Sequence, residues 1–250
     1  MAQPATGAAS GQIVAIGGMD LSPTGDLALL HYLRELTSKE RPRACYVPTA
    51  SSEHLDHIVS FYETAARLDL VASHLSLFHP PTADLRGYLL ENDLIFVGGG
   101  NTKSLLALWR EWGLDAILRE AWARGIVLAG VSAGAICWFE QGITDSIPGP
   151  LTPLSCLSYL PGSMCPHYDG EAERRPSFHR MLAEGVIAPG YAAEDGVGLH
   201  FVGTRLERVV TSRPGKAAYR LDLAGDGAAR EERMAAEALS DDMARMVRER

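Results

Sequence analysis

The sequence predicts an α/β fold in which a mostly parallel sheet carries helices on both faces. Near-continuous apolar runs, such as residues 12–17 and 126–131, alternate with runs whose apolar residues recur at helical spacing. An apolar run without polar alternation is typical of a strand buried on both faces, as in a parallel sheet between two helix layers. The chain has 250 residues, of which 46% are hydrophobic, and is long enough to bury such a core.

Each predicted element follows from this periodicity. Strands are predicted at residues 12–17, 44–48, 70–78, 93–97 and 126–131. Helices are predicted at residues 26–36, 54–68, 83–90, 102–112 and 114–124, with a helical run at 135–140. The pattern then loosens, and it predicts a loop at 148–162, a helix at 177–184, and short strands at 197–202, 206–211 and 217–223.

The chain has no internal repeat and no linker between two cores, which favours one domain. We expect residues 1–11 to be a disordered lead, residues 12–227 a single α/β domain, and residues 228–250 a helical tail of that domain. Two packing partners remain open for the apolar residues of the tail, the body of the domain or a second copy in a homodimer. These residues are Met234, Leu239, Met243 and Met246.

Composition excludes several classes of function. The formal net charge of -8 argues against nucleic acid and anionic membranes as partners. The sequence has no apolar run long enough for a membrane helix. The four cysteines form no CxxC pair and are too few for a disulfide framework in a chain of this size. We therefore expect reduced thiols and a cytoplasmic location.

The strongest motif is Gly130-Val131-Ser132-Ala133-Gly134, which fits the G-x-S-x-G pattern. An apolar run precedes it and a helical run follows, which is the strand-turn-helix context that a nucleophile elbow requires. The sharp turn presents the serine at the carboxyl end of the sheet, and the amino terminus of the new helix favours developing negative charge. The alternative is a plain glycine-rich turn.

A second glycine-rich turn runs from Gly98 to Thr102. It matches neither dinucleotide nor P-loop patterns, which argues against a phosphate site. Two interpretations remain, an oxyanion loop facing the elbow or a plain turn with Asn101 or Thr102 as helix N-cap.

A serine nucleophile needs a base and an orienting acid. Of eight histidines, His167 has the best context, a loop after the elbow. Cys165 and His167 together are too few ligands for a metal site, and we expect no metal or organic cofactor. The candidate acids lie in the Glu194-Asp195-Gly196 turn and at Asp145, Asp169 and Glu171.

Four segments in this order resemble the peptidase E family, the S51 serine peptidases that include the cyanophycinases. They are VGGGNT at 97–102, GVSAGA at 130–135, Pro166-His167, and the EDG turn at 194–196. The resemblance covers residues 12 to 223. It implies a fold like that of class I glutamine amidotransferases, with serine in place of the elbow cysteine.

The resemblance also implies roles for individual residues. The triad would be Ser132, His167 and Asp195, with Glu194 as a rival acid. The oxyanion would be held by the amides of Gly100 and Ala133. The substrate would be a small peptide, a dipeptide with N-terminal aspartate. The expected substrate contacts are Gly99, Asn101, Asp145 for the free amine, and Arg175 for the side-chain carboxylate.

Three rival functions stay open at this point. A cyanophycinase-like enzyme would cleave β-aspartyl bonds with the same catalytic residues. A binding relative would keep the fold without catalysis. A glutaminase would use a thiol such as Cys137, which lies five residues past the elbow serine.

Overall fold

The computed structural model describes residues 11–22, 25–225 and 227–239. The strands are β1 (Gln12–Ile16), β2 (Arg43–Val47), β3 (Val71–His74), β4 (Leu94–Val97), β5 (Val127–Val131), β6 (Phe139–Thr144), β7 (Thr152–Ser155), β8 (Leu160–Cys165), β9 (Gly190–Ala193), β10 (Val197–Val202), β11 (Arg205–Thr211), β12 (Ala217–Leu223), β13 (Ala229–Ala235) and β14 (Glu237–Ala238). The helices are α1 (Leu27–Leu36), α2 (Leu55–Arg67), α3 (Leu85–Leu90), α4 (Thr102–Trp112), α5 (Leu114–Ala123), α6 (Ala133–Ile136) and α7 (Arg174–Ala183), with one 3-10 turn at Thr49–Ser51.

The central sheet has eight strands in the order β14-β11-β10-β1-β5-β4-β2-β3. The five strands from β1 to β3 in that order are parallel, and β10 joins β1 antiparallel. Side chains of α1 and α2 bury one face, and those of α3, α4 and α5 bury the other. The parallel sheet between helix layers is confirmed, because strands such as β5 are buried along their whole length.

A second sheet, which the sequence pattern does not predict, has six strands in the order β13-β12-β9-β8-β6-β7. One face contributes Phe139, Leu160 and Met164 to the core that also holds α4 and α5. The other face packs on α7 through residues such as Phe178. The second sheet therefore lies between the helices of the central sheet and α7.

Two predicted segments are wrong in this region. The helix after the elbow ends at Ile136, and residues from Phe139 form β6, because the Trp138 carbonyl accepts N–H bonds from Tyr159 and Leu160 instead of continuing a helix. The predicted loop at 148–162 contains β7 and the start of β8, since both pair with β6.

The predicted helical tail is also wrong over its described part. Residues 229–235 form β13, which pairs antiparallel with β12 along its full length. Sheet pairing overrides the helix preference of Ala, Glu, Arg and Met. Met234 and Leu239 pack on the body of the protein. Met243, Met246 and residues 1–10 of the disordered lead predicted at 1–11 lie outside the described residues.

No helix within residues 11–22, 25–225 and 227–239 combines the length and the apolar character that crossing a membrane requires.

Candidate active site

Ser132 lies immediately after β5, in a backbone conformation that few residues adopt. Its φ and ψ are 53° and -112°, and α6 begins at the next residue. The flanking glycines are required by close backbone approach. A Cβ on Gly130 would lie 2.2 Å from the carbonyl oxygen of Gly134, and a Cβ on Gly134 would lie 2.3 Å from that of Val97. The motif therefore forms the sharp strand-to-helix turn that exposes a side chain at the sheet edge.

The second glycine-rich turn approaches this serine from the neighbouring strand β4. A Cβ on Gly99 would lie 3.2 Å from the Cβ of Ser132. Gly100 has a φ of +133°, and a Cβ there would lie 2.2 Å from the Ala50 carbonyl oxygen, so only glycine fits. Ala133 is the first residue of α6, and its amide has no acceptor within the helix. The two predicted oxyanion donors thus lie in the second glycine-rich turn and at the start of α6, two segments that meet beside Ser132.

His167 follows β8, and Asp195 lies in the link between β9 and β10. Their Nδ1 and Oδ1 atoms are 2.8 Å apart, and both side chains are about three-quarters buried. His167 also has a positive φ, 53°. The space around the pair is filled, because a Cβ on Gly18 would lie 1.9 Å from Asp195 Oδ1. With a carboxylate on Nδ1, the neutral ring is held with Nε2 free to act as a base.

Ser132 and His167 line one cavity of about 390 Å³. Gly99 and Gly100 belong to its wall, as the oxyanion interpretation requires. The other lining residues are Met19, Asp20, Leu21, Ser22, Tyr46, His57, Ser60 and Val131. The cavity therefore lies at the carboxyl ends of the parallel strands, where α/β proteins commonly bind ligands.

Glu194, the rival acid, is hydrogen-bonded to groups other than His167. Its carboxylate accepts the backbone N–H of Ala217 at 2.9 Å and the hydroxyl of Tyr219 at 2.8 Å. Asp169 accepts the backbone N–H of Asp195 at 2.9 Å. Glu171 pairs with Arg174 at 2.7 Å. Asp195 is the carboxylate that contacts the imidazole.

Asn101 has both ends of its amide occupied. Its Oδ1 accepts the Ser104 N–H at 2.9 Å and caps α4, while Nδ2 donates to the Ser146 carbonyl at 3.0 Å. Asp145 lies outside the cavity wall, is exposed, and is 3.8 Å from Arg174. The structure therefore does not bring these two predicted substrate contacts into the cavity lining.

Arg175 is also held elsewhere. Its guanidinium lies over the rings of Tyr168 and Tyr219, at 4.8 Å and 4.7 Å from their centres, and pairs with Glu231 at 3.5 Å. Burial by itself lowers the pKa of Arg175, but the Glu231 carboxylate and the two phenols outweigh that effect and raise it. A guanidinium engaged by two rings and a carboxylate is not available in the cavity.

Sequence reasoning missed the cavity residues that come from other elements. Tyr46 is the penultimate residue of β2, and His57 and Ser60 lie on α2, whereas Asp20 lies in the loop after β1. Their position in the chain could have indicated some of them, because residues at the carboxyl ends of parallel strands lie together at one edge of the sheet.

The thiol alternative finds no support in the geometry. All four cysteines are free and buried. Burial raises the pKa of Cys137 well above its ordinary value, and its thiol donates to the Gly134 carbonyl at 3.2 Å. A nucleophilic thiol needs a lowered pKa and access to substrate.

Comparison with known proteins gives consistent matches. The model of peptidase family S51 matches residues 13–209. The uncharacterized peptidase YgaJ of Bacillus subtilis (strain 168) is 53% identical over 214 residues, which are 85% of this chain and 93% of that protein. The uncharacterized peptidase Lmo0363 of Listeria monocytogenes is 30% identical over 135 residues, 50% of this chain and 64% of its own. The crystal structure of a peptidase from an acI-B1 actinobacterium has a TM-score of 0.67 over 92% of this chain and 96% of that chain, at 17% identity, a likeness of fold alone.

Proposed function

The chain belongs to peptidase family S51, a family of serine peptidases, and from this we propose that it hydrolyses small peptides through an acyl-enzyme on Ser132. The observation that carries the proposal is the 2.8 Å contact between His167 and Asp195 at a cavity shared with Ser132. The volume of about 390 Å³ lies at the small end of the range of roughly 300–1,000 Å³ for small-molecule pockets. A short peptide suits such a volume.

In the proposed mechanism, His167 Nε2 removes the Ser132 proton as the hydroxyl oxygen attacks the scissile carbonyl carbon. Asp195 keeps the ring in the required tautomer and stabilises the imidazolium. The amides of Gly100 and Ala133 stabilise the oxyanion, and such donors contribute roughly 3 kcal/mol each. His167 then protonates the leaving amine, and water releases the acid by the reverse proton path.

At the finer level we propose dipeptides with N-terminal aspartate as substrates. His57 and Ser60 line the cavity and carry donors that suit a side-chain carboxylate, which is the part that Arg175 was expected to play. The carboxylate of Asp20, also in the cavity wall, suits a free amine. These three side chains support a substrate that carries charge at its amino-terminal residue.

The test is a panel of α-aspartyl dipeptides, β-aspartyl dipeptides and aminoacyl p-nitroanilides, with wild type beside Ser132→Ala. We expect turnover of the α-aspartyl members that disappears in the variant, while thermal unfolding is unchanged. Turnover of β-aspartyl members alone would favour the cyanophycinase-like alternative. If no member is cleaved and a fluorophosphonate leaves Ser132 unlabelled, the catalytic proposal fails and a binding relative is favoured.

A further inference from the structure

The carboxylate of Asp169 connects the two segments that carry the proposed catalytic pair, His167 and Asp195. Asp169 lies two residues after His167, in the same loop. Its Oδ1 accepts the backbone N–H of Asp195 at 2.9 Å, and its Oδ2 pairs with Lys216 Nζ. Lys216 directly precedes β12, which comes from a different part of the chain. The Asp169–Lys216 pair therefore links three segments, which are the His167 loop, the Asp195 turn and the start of β12.

Both members of the pair are charged at neutral pH. Burial by itself raises the pKa of Asp169, but the hydrogen bonds from Lys216 and the Asp195 N–H outweigh it, so the pKa lies below its ordinary value. The hydrogen bond to Asp169 raises the pKa of Lys216. The pair thus places one negative and one positive charge beside Asp195, with no net charge.

Three other charged groups packed around Asp195 and His167 are themselves paired or hydrogen-bonded. Arg213, which packs on Gly196, is bound to Asp26 at 2.8 Å. Glu171, whose N–H donates to the His167 carbonyl, is bound to Arg174. Glu194 is hydrogen-bonded to Tyr219, and on the cavity side lie Asp20 and His57. Among these groups, Asp169 is the carboxylate that accepts the Asp195 N–H.

We propose that the Asp169–Lys216 pair positions Asp195 against His167 and, through its balanced charge, sets the pH range in which His167 works as a base. The inference rests on the proposed function, since it assigns a positioning role within that triad. Removing either charge alone leaves the other uncompensated beside the imidazole. An uncompensated Lys216 disfavours the protonated ring, and an uncompensated Asp169 favours it.

The experiment follows the His167 ring by NMR across pH, in wild type, Asp169→Asn, Lys216→Met and the double variant, with the signal assigned through His167→Gln. The titration midpoint should fall in Asp169→Asn and rise in Lys216→Met, each by roughly 0.5 pH unit or more, and return near the wild-type value in the double variant. The acid limb of the kcat/KM profile should move in the same directions on any peptide that the enzyme cleaves.

A matched control removes the charges of an exposed ion pair at the opposite edge of the sheet, Arg43→Met and Glu91→Gln, whose side chains are 3.2 Å apart. These variants should leave the titration midpoint of His167 unchanged. Asp169→Ala also removes the acceptor for the Asp195 N–H. Its kcat should therefore be about tenfold lower than that of Asp169→Asn.

The inference would be overturned if the titration midpoint of His167 stays fixed, or if it moves in the same direction in Asp169→Asn and Lys216→Met. This holds even if activity falls in these variants. Absence of turnover in wild type would instead count against the proposed function, and the NMR titration would still decide the role of the pair.

Discussion

Ser132 and His167 both have a positive φ, 53°, which non-glycine residues rarely adopt. A non-glycine residue in this region costs on the order of 1–3 kcal/mol and persists only when its surroundings hold it there. For Ser132 the restraint is its N–H bond to the Ile16 carbonyl at 3.0 Å and the close backbone contacts of Gly130 and Gly134. For His167 the restraint is a hydrogen bond from the Glu171 N–H to the His167 carbonyl at 3.0 Å. Strain at two residues of one cavity supports a functional reason for both.

Gly18 provides a test of the proposed catalytic pair at the scale of one methyl group. In Gly18→Ala the new Cβ would lie 1.9 Å from Asp195 Oδ1 and 2.8 Å from His167 Nδ1, so the two side chains must separate. We expect kcat/KM to fall about a hundredfold or more, because the imidazole loses its orienting carboxylate. The matched control is Gly225→Ala, where no atom of the described residues lies within 4 Å of the new Cβ. Full activity in Gly18→Ala would contradict the assignment of Asp195.

Tyr46 has a buried hydroxyl that finds no hydrogen-bond partner among the described residues. Its ring stacks on Phe61 with centres 5.0 Å apart, a contact that phenylalanine preserves. In Tyr46→Phe we expect the free energy of unfolding to stay the same or to rise by up to about 1 kcal/mol, since an unpaired buried hydroxyl is costly. Tyr88→Phe is the comparison, because its hydroxyl donates to the His74 carbonyl at 2.8 Å and its loss should cost roughly 0.5–1.5 kcal/mol. Urea denaturation measures both, and an equal loss in the two variants would contradict the argument.

At the scale of elements, Asn101 caps the amino terminus of α4 and directly follows Gly99 and Gly100 of the cavity wall. Asn101→Ala removes the cap that Ser104 N–H needs and should lower the free energy of unfolding by about 1 kcal/mol. Asn101→Asp keeps the Oδ1 acceptor and loses only the Nδ2 donor to the Ser146 carbonyl, so we expect most of the stability to remain. Equal destabilisation of the two variants would show that capping is not the main contribution.

The elements of the parallel core could be predicted because their signal is local. A strand such as β5 is apolar along its length, and a helix such as α2 repeats its apolar residues at helical spacing. The second sheet lacks such a signal. β6 begins inside an apolar run that also fits a helix, and β13 reads AREERMA, a composition that favours helix. Pairing with distant strands decides their conformation, and a single-sequence pattern does not contain that information.

The residues of the candidate site divide in the same way, into those with a local sequence signal and those placed by contacts with distant segments. The glycine-serine motif and the Pro166-His167 and Glu194-Asp195 segments are short, and their residues were named from sequence. The sequence did not place Arg175 beside Tyr219 and Glu231, because these partners come from β12 and β13, whose pairing could not be predicted. His57 and Ser60 reach the cavity from α2, and only the packing of that helix on the sheet brings them there.

At the scale of the whole molecule, the proposed nucleophile and its base belong to different sheets. Ser132 follows β5 of the central sheet, and His167 follows β8 of the second sheet. Their relative position depends on the core between the sheets, where Phe139 of β6 meets Phe201 of β10 edge to face with centres 5.7 Å apart. A well-packed interior transmits small volume changes. Catalysis should therefore respond to substitutions in this core that touch neither residue.

His200 connects the stability of the whole molecule to pH. It lies on β10, buried, with Nδ1 2.7 Å from the Tyr32 hydroxyl and Nε2 3.0 Å from Gln12 Oε1. A neutral ring with its proton on Nε2 satisfies both contacts. Burial lowers the pKa of His200 below its ordinary value of 6.5, and the nearby Arg208 cation lowers it further. The unfolded chain therefore binds the proton more readily than the folded one.

It follows that the stability from the neutral His200 is present above pH 6.5 and is lost as the pH falls toward the lower folded-state pKa. We expect the free energy of unfolding, measured by urea denaturation from pH 7 to pH 5, to decrease with falling pH, and to decrease less steeply in His200→Gln. His79→Gln, which alters an exposed histidine, should keep the wild-type slope. A wild-type slope retained in His200→Gln would assign the pH dependence to other groups, among them His31, whose pKa burial also lowers.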